Sequence, residues 1–171
     1  RLLNEGLRVA AVALLHSYLN PAHERIVAEK LRELGFDHVS TSAELAPLIK
    51  WLPRAETCVV NAYLQPVMQG FLNHIRERVG AESRLLTMTS AGGLDSVEGY
   101  APKDSLLSGP AGGVSGAAAV AESLGFSHIL TFDMGGSSTD VARFDGDFQY
   151  RFEQSVGDAR LLSPALKIET V

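Results

Sequence analysis

The chain has 171 residues, 46% apolar and 20% charged, with a net charge of −5 and a single cysteine. That balance belongs to a folded chain with a sizeable core and argues against disorder. Basic residues never gather beyond a pair or two, so no nucleic-acid partner is expected. Cys58 has no second thiol to pair with, which points to a reducing compartment and a cytoplasmic location. No apolar run nears the roughly 18 residues that span a bilayer, so no membrane role is expected. The opening Arg1-Leu2-Leu3-Asn4-Glu5-Gly6 has neither an initiator Met nor a signal-peptide layout, and reads as the start of an internal piece of a longer protein.

In chain order, residues 9–15 form a continuous apolar run that suits a buried strand. "NPAHERIVAEKLRELG" follows, with Asn20 as N-cap, Pro21 at the first helical position and Gly35 as the stop. Val27, Leu31 and Leu34 share one face of this helix. "FDHVSTS" reads as a short strand, which makes the first forty or so residues a βαβ unit. "LIKWLPRAET" reads as a surface connection anchored by Trp51.

Residues 57–79 give the longest helical pattern, with two apolar stripes wide enough to predict burial between layers and a kink at Pro66. Cys58 lies within it as a small core residue. Residues 85–89 read as a strand, and "SAGGLDSVEGYAPKDS" as a loop. "LSGPAGGVSGAAAVAESLG" enters a helix of small residues. "HILTFDM", "TDVARF" and "FQYRF" read as strands, the last two joined at Asp145-Gly146-Asp147. The fold class is α/β with a mixed sheet and flanking helices.

The chemistry concentrates in "FDMGGSSTDVARFDGDF". A P-loop needs Lys and a following helix, a dinucleotide fingerprint needs the helix, and a calcium loop needs alternating acids; none fits. A hairpin that clasps phosphate does fit. Gly135 and Gly136 allow close approach and positive φ, successive amides can form an anion nest, and Ser137, Ser138 and Thr139 add hydroxyls. Asp133 repels phosphate but can hold the Mg²⁺ that travels with a nucleotide. A tight β-turn with an exposed aspartate explains the same residues, and spacing alone leaves both open.

"SGPAGGVSGA" is the second candidate. Gly109, Gly112 and Gly113 leave a helix entrance bare, which attracts anions. Close packing of Ala117, Ala118, Ala119 and Ala121 on a sheet explains it equally. Ser115 lacks the second glycine of a nucleophile elbow. His16, His23 and Glu24 raise a metal question, but their spacing favours a structural or helix-entry role.

Together these segments are similar to the hydantoinase A / 5-oxoprolinase family of the actin-like ATPase superfold. "FDMGGSSTDVARFDGDF" resembles its second phosphate loop, and "LHSYLNPAHERIVAEKLRELGFDHVSTSAE", "AETCVVNAYLQPVM", "TSAGGL" and "LSGPAGGVSGA" match in order. The resemblance implies an incomplete ribonuclease H-like fold. Residues 1–53 would end an N-terminal segment and residues 54–171 begin the ATPase domain. It implies an enzyme that uses ATP and Mg²⁺ to activate a lactam or hydantoin ring for hydrolysis, with Asp133 on Mg²⁺. The amides of Gly135, Gly136 and Ser137 would hold phosphates with help from Ser138, and Asp140 would orient water or simply begin its strand. A cyclic amide substrate, a B-type subunit or domain, and self-association are the implied partners. A related carboxylase subunit, another actin-like kinase or activator, and a non-catalytic structural domain are the alternatives. Ser137 stands where the family usually has Thr, and Ala91 where relatives often carry a polar residue. The family's earlier phosphate loop and its adenosine-binding stretch fall outside these residues, so the piece alone is expected to have little ATPase activity.

Overall fold

The computed structural model describes residues 1–80 and 82–171. A short 3₁₀ turn precedes β1 (Val9–Val12), α1 (Ala22–Glu33), β2 (His38–Thr41), α2 (Ser42–Leu45) and the long α3 (Trp51–Val79). Then come β3 (Leu86–Met88), β4 (Leu94–Ser96), α4 (Ser108–Ser123), β5 (His128–Met134) and β6 (Thr139–Asp145). The tail adds β7 (Tyr150–Arg151), β8 (Gln154–Val156), β9 (Ala159–Leu161), β10 (Ala165–Leu166) and β11 (Ile168–Thr170). Contacts divide the chain into unit 1 (Arg1–Ser83, Ala101–Lys103, Glu153–Leu162) and unit 2 (Arg84–Tyr100, Asp104–Phe152, Ser163–Val171). No helix among the described residues is long and apolar enough to cross a membrane.

Unit 1 carries the expected βαβ motif. β1 and β2 pair in parallel from Val9↔His38 to Val12↔Thr41, with α1 as the crossover. Asn20 Oδ1 accepts the Ala22 amide at 3.1 Å, and α1 stops at Gly35 with φ 101°. The buried face differs from the apolar stripe. Glu24 and Ala28 are buried while Val27 and Leu34 are exposed. The cause is a fully buried ion pair: Arg54 Nη1 lies 3.7 Å from Glu24 Oε1, and both side chains are 0% exposed. Glu24 accepts from the amides of Leu14 (2.7 Å) and Ala43 (2.8 Å) and from Ser42 Oγ (2.6 Å). Arg54 donates to the carbonyls of Leu14 and Leu15 at 3.0 Å each, to Ser42 Oγ at 2.6 Å, and to Ser17 Oγ.

Arg54 reaches this cluster because α3 begins at Trp51, six residues before the expected start at Thr57. The supposed surface connection is therefore helical from Trp51 onward. Pro53 sits in the first turn, where its missing N–H leaves no gap. Cys58 is buried as expected, donating to the Ser40 carbonyl at 3.3 Å, and burial pushes its thiol up to about 12. The helix runs unbroken through Pro66. Its predicted two-sided burial is not found: Thr57, Cys58, Asn61, Ala62 and Leu72 are buried, but Val59, Tyr63, Val67 and Phe71 are exposed. The β8–β9 hairpin joins unit 1 through α3, the Leu162 amide donating to Thr57 Oγ1 at 2.8 Å.

In unit 2 the expected loop after residue 89 contains a strand, β4, which pairs antiparallel with β3 from Leu86↔Ser96 to Met88↔Leu94. The sheet that bears the glycine hairpin is three-stranded and antiparallel, in the order β11-β6-β5. Gly146 turns at φ 80° as predicted, but the following segment meets β6 only at the Phe144↔Phe148 bridge, and β7 pairs with β10. The core joins Ala111, Val114, Ala142 and Leu166, with Phe148 and Ile168 packed against it. α4 therefore buries Ala111, Val114, Ala118 and Ala121; Ala119, predicted on the flat face, is exposed.

Candidate functional site

The site is built on the β5–β6 hairpin. Its register places Asp133 directly opposite Asp140 and Met134 opposite Thr139. Residues opposite one another in an antiparallel pair point to the same face, so two carboxylates share one face at the mouth of the turn. Like charges so placed repel by roughly 0.2–1 kcal/mol unless something positive lies between them. Asp140 accepts a hydrogen bond from Thr170 Oγ1 at 2.6 Å, and Thr170 stands beside it in register on β11. Asp133 is exposed, and its carboxylate has no hydrogen bond or ion pair among the described residues.

The turn is closed by the Gly135 amide, which donates to the Ser138 carbonyl at 2.9 Å. The amides of Gly136, Ser137 and Ser138 have no backbone acceptor among the described residues. Residues 135–138 are all exposed. The positive φ anticipated for the two glycines does not occur: neither Gly135 nor Gly136 is among the glycines in that region. A Cβ on Gly136 would meet nothing within 4 Å, and one on Gly135 would only touch the Ser138 carbonyl at 3.5 Å. Neither conformation nor packing inside unit 2 calls for glycine at 136. What a bare backbone does offer there is close approach by a ligand.

α4 comes to the same place. A Cβ on Gly113 would lie 3.9 Å from Asp133 Oδ2, so the carboxylate rests over the bare backbone of the helix. Pro110, Gly113, Val114 and Ala117 on α4 face Ile129, Thr131, Asp133 and Asp140 across a cleft of about 380 Å³. Its walls are apolar and its two carboxylates are the charged groups. Gly112 turns away toward Met88, whose Cγ a Cβ would meet at 3.4 Å, and Gly109 faces open space. Ser108 does not cap α4; it is the first helical residue, and its Oγ donates back to the Ser105 carbonyl at 2.8 Å.

The structure thus brings Asp133, Asp140 and Gly113 together. Gly136, Ser137 and Ser138 stand at the hairpin tip, and Gly109 and Gly112 lie off the cleft. Thr170 was missed, because β11 is only three residues long and shows no period that would lead to it. Unit 1 holds a smaller cleft of about 290 Å³ between α1, β2 and α3. Several of its polar groups are already engaged: Glu44 accepts from Thr41 Oγ1, Arg32 donates to the Val39 carbonyl, and Asn61 bonds both Ser40 Oγ and the Lys103 amide. Among the described residues no three metal-ligating side chains gather anywhere. Mg²⁺ with a nucleotide needs only one or two carboxylates, because phosphates and water complete its shell.

The "Hydantoinase/oxoprolinase" family model matches residues 54–171, and the "Hydantoinase/oxoprolinase N-terminal region" model matches residues 1–35. The chain belongs to the hydantoinase/oxoprolinase family. The 5-oxoprolinase of Saccharomyces cerevisiae is 43% identical over 170 residues, which is 97% of this chain and 13% of that protein. Among solved structures, an ATP-dependent caprolactamase from Pseudomonas jessenii superimposes with a TM-score of 0.86 at 29% identity, covering 99% of this chain and 26% of that one. A nucleotide-free acetone carboxylase matches with a TM-score of 0.81 at 27% identity, over 99% of this chain and 25% of that one. The fold is the mixed α/β, actin-like architecture of these neighbours. The chain spans about one eighth of the yeast relative and a quarter of the structural neighbours.

Proposed function

We propose that this chain is part of an ATP-dependent cyclic-amide hydrolase, in which residues 54–171 begin the ATPase domain and residues 1–53 end the segment before it. The observation that carries the reading is the opposed Asp133–Asp140 pair beside a glycine hairpin. Two carboxylates held face to face, one without any partner, suit a hard divalent cation. Asp133 would hold that Mg²⁺. The free amides of Gly136, Ser137 and Ser138 would hold the phosphates, while the Gly135 amide keeps the turn closed. Gly113 would keep α4 bare where phosphate approaches, whereas Gly109 and Gly112 lie off the cleft. Asp140, oriented by Thr170, would position water or a metal-bound ligand. Bound Mg-ATP would supply the phosphoryl group that makes an amide oxygen a good leaving group. For such chemistry the protein contributes mostly position and charge stabilisation, which a rigid hairpin provides.

The 5-oxoprolinase and caprolactamase relatives support a lactam as substrate, and a B-type subunit or domain is the partner this reading calls for. The test is ATP turnover by the whole protein with 5-oxoproline, with a hydantoin and with neither, in wild type and Asp133→Ala. Stimulation by 5-oxoproline that disappears in the variant supports the full reading. Stimulation by a hydantoin alone moves the substrate. No turnover and no Mg-ATP binding reduces the hairpin to a turn. The acetone carboxylase neighbour favours one second reading, an ATP-using carboxylase subunit. Bicarbonate-dependent ATP turnover without ring opening would select it.

A further inference from the structure

The "TSAGGL" segment has no part in the site described above, yet it holds the helix that forms one wall of that site. We propose that the loop 89–93 is a positioning device for the nucleotide site, with Ser90 and Ser115 as its positioning residues. The proposal rests on the Mg-ATP reading of the Asp133 cleft.

Ser90 is 2% exposed and makes four hydrogen bonds. Its Oγ accepts the Leu107 amide at 3.0 Å and donates to the Asp104 carbonyl at 2.7 Å. Its own amide donates to the same carbonyl at 2.7 Å, and its carbonyl accepts the Leu166 amide at 2.8 Å. Leu107 is the N-cap of α4, which has no side-chain cap. Ser90 therefore satisfies a donor at the helix entrance that would otherwise lack a protein partner. Two turns further on, Ser115 Oγ donates to the Gly92 carbonyl at 2.9 Å. The same loop thus grips α4 at two points about 12 Å apart along its axis.

Between the two grips lie Gly109, Gly112 and Gly113. Gly113 is where α4 meets Asp133, so a shift of α4 along its axis changes the space in front of that carboxylate directly. Gly92 sets how closely the loop can approach. It turns at φ 80°, and a Cβ there would stand 2.5 Å from Ser115 Oγ and 2.8 Å from Leu166 Cδ1. No side chain fits, and the loop backbone lies directly against the helix.

The test uses the whole protein and compares Ser115→Ala, Ser115→Thr and Ser90→Ala for the dependence of turnover on Mg-ATP. Ser115→Ala is expected to raise KM for Mg-ATP about three- to tenfold, the size of one lost hydrogen bond, with kcat within about twofold. Ser115→Thr, which keeps the hydroxyl, is expected to return KM toward wild type, and Ser90→Ala to act like Ser115→Ala. A purely structural loop would lower the amount of active enzyme at every ATP concentration and leave KM alone; that outcome overturns the proposal. If a variant is too unstable for kinetics, the Kd of its folded fraction for Mg-ATP decides in the same way. A wild-type protein that neither binds nor turns over Mg-ATP overturns the site reading and this proposal together. Normal wild-type binding with unchanged KM in the variants overturns this proposal alone.

Discussion

Unit 1 buries a carboxylate that has every partner it needs, and unit 2 exposes one that has none. Glu24 is completely enclosed, yet the Ser42 hydroxyl, the Leu14 and Ala43 amides and the Arg54 guanidinium surround it. Asp133 stands in the open, opposite a second carboxylate, with no donor and no cation among the described residues. The contrast sets a framework charge against one proposed to work. Glu24 is paired because leaving a buried charge without a counter-ion is too costly, although Arg54 Nε itself is left without a partner among the described residues. Asp133 can remain without a protein partner because it is exposed, and on the proposed reading Mg²⁺ takes that place.

The sharpest break in this comparison comes from removing one half of the buried pair. Arg54→Met should destabilise unit 1 by about 3–5 kcal/mol, because Glu24 is left as a buried charge without its counter-ion. Chemical denaturation of the chain measures it. The double variant Glu24→Met with Arg54→Met should recover much of the loss. A double variant no better than the single one would mean that the hydrogen bonds to Leu14, Leu15 and Ala43, rather than the charges, hold this region together.

Asp133→Asn should do the reverse. Turnover of ATP by the whole protein should fall about 10²–10³-fold, as when one charge-stabilising group is lost from an active site. Stability should stay level or rise slightly, because repulsion from Asp140 is relieved. A large loss of melting temperature would place Asp133 with Glu24 as framework.

Acid separates the two carboxylates without mutation. Burial by itself raises the Glu24 carboxyl, but the hydrogen bonds from Ser42 and Ser17 and from the Leu14 and Ala43 amides outweigh it and hold the group below its usual range. A lowered folded-state value means that stability is fully present above the unfolded value, near 4.5, and is lost as pH falls through the folded one. Unfolding midpoints should therefore drop below about pH 4.5, and Glu24→Gln should flatten that part of the profile. An unchanged acid limb in Glu24→Gln would assign the loss to other groups.

Much of this was readable from residue pattern, and the exceptions have physical causes. The βαβ unit, the α4 helix and the β5–β6 hairpin follow from apolar period and from glycine and proline placement. Glu24 and Arg54 were not readable as a buried pair, since charged residues are rarely buried and nothing in the sequence announces a partner so far along the chain. "LIKWLPRAET" reads as a surface connection, but α3 begins at Trp51, with Pro53 in its first turn where it is compatible with the helix. β7 to β11 are two or three residues each and too short to show a period. At the site, the acid–glycine–hydroxyl order located the hairpin. Only the register revealed that Asp133 and Asp140 stand opposite one another, and only the fold brought Gly113 and Thr170 to them.

The smallest expected effect tests whether Asp140 belongs with the working pair or with the framework. Thr170→Val removes the hydroxyl that bonds Asp140 at 2.6 Å and keeps the β-branched shape that suits β11. The bond is exposed, so its loss should cost about 0.5–1.5 kcal/mol at most. If Asp140 acts on water or metal, freeing its carboxylate should raise the Mg²⁺ concentration needed for half-maximal turnover by a few fold, with the melting temperature almost unmoved. If Asp140 only begins its strand, Mg²⁺ dependence should stay constant while the β6–β11 edge loosens, visible as faster amide exchange at Thr139 and Val171, which bond one another across that edge. The two readings move different observables, so one variant separates them.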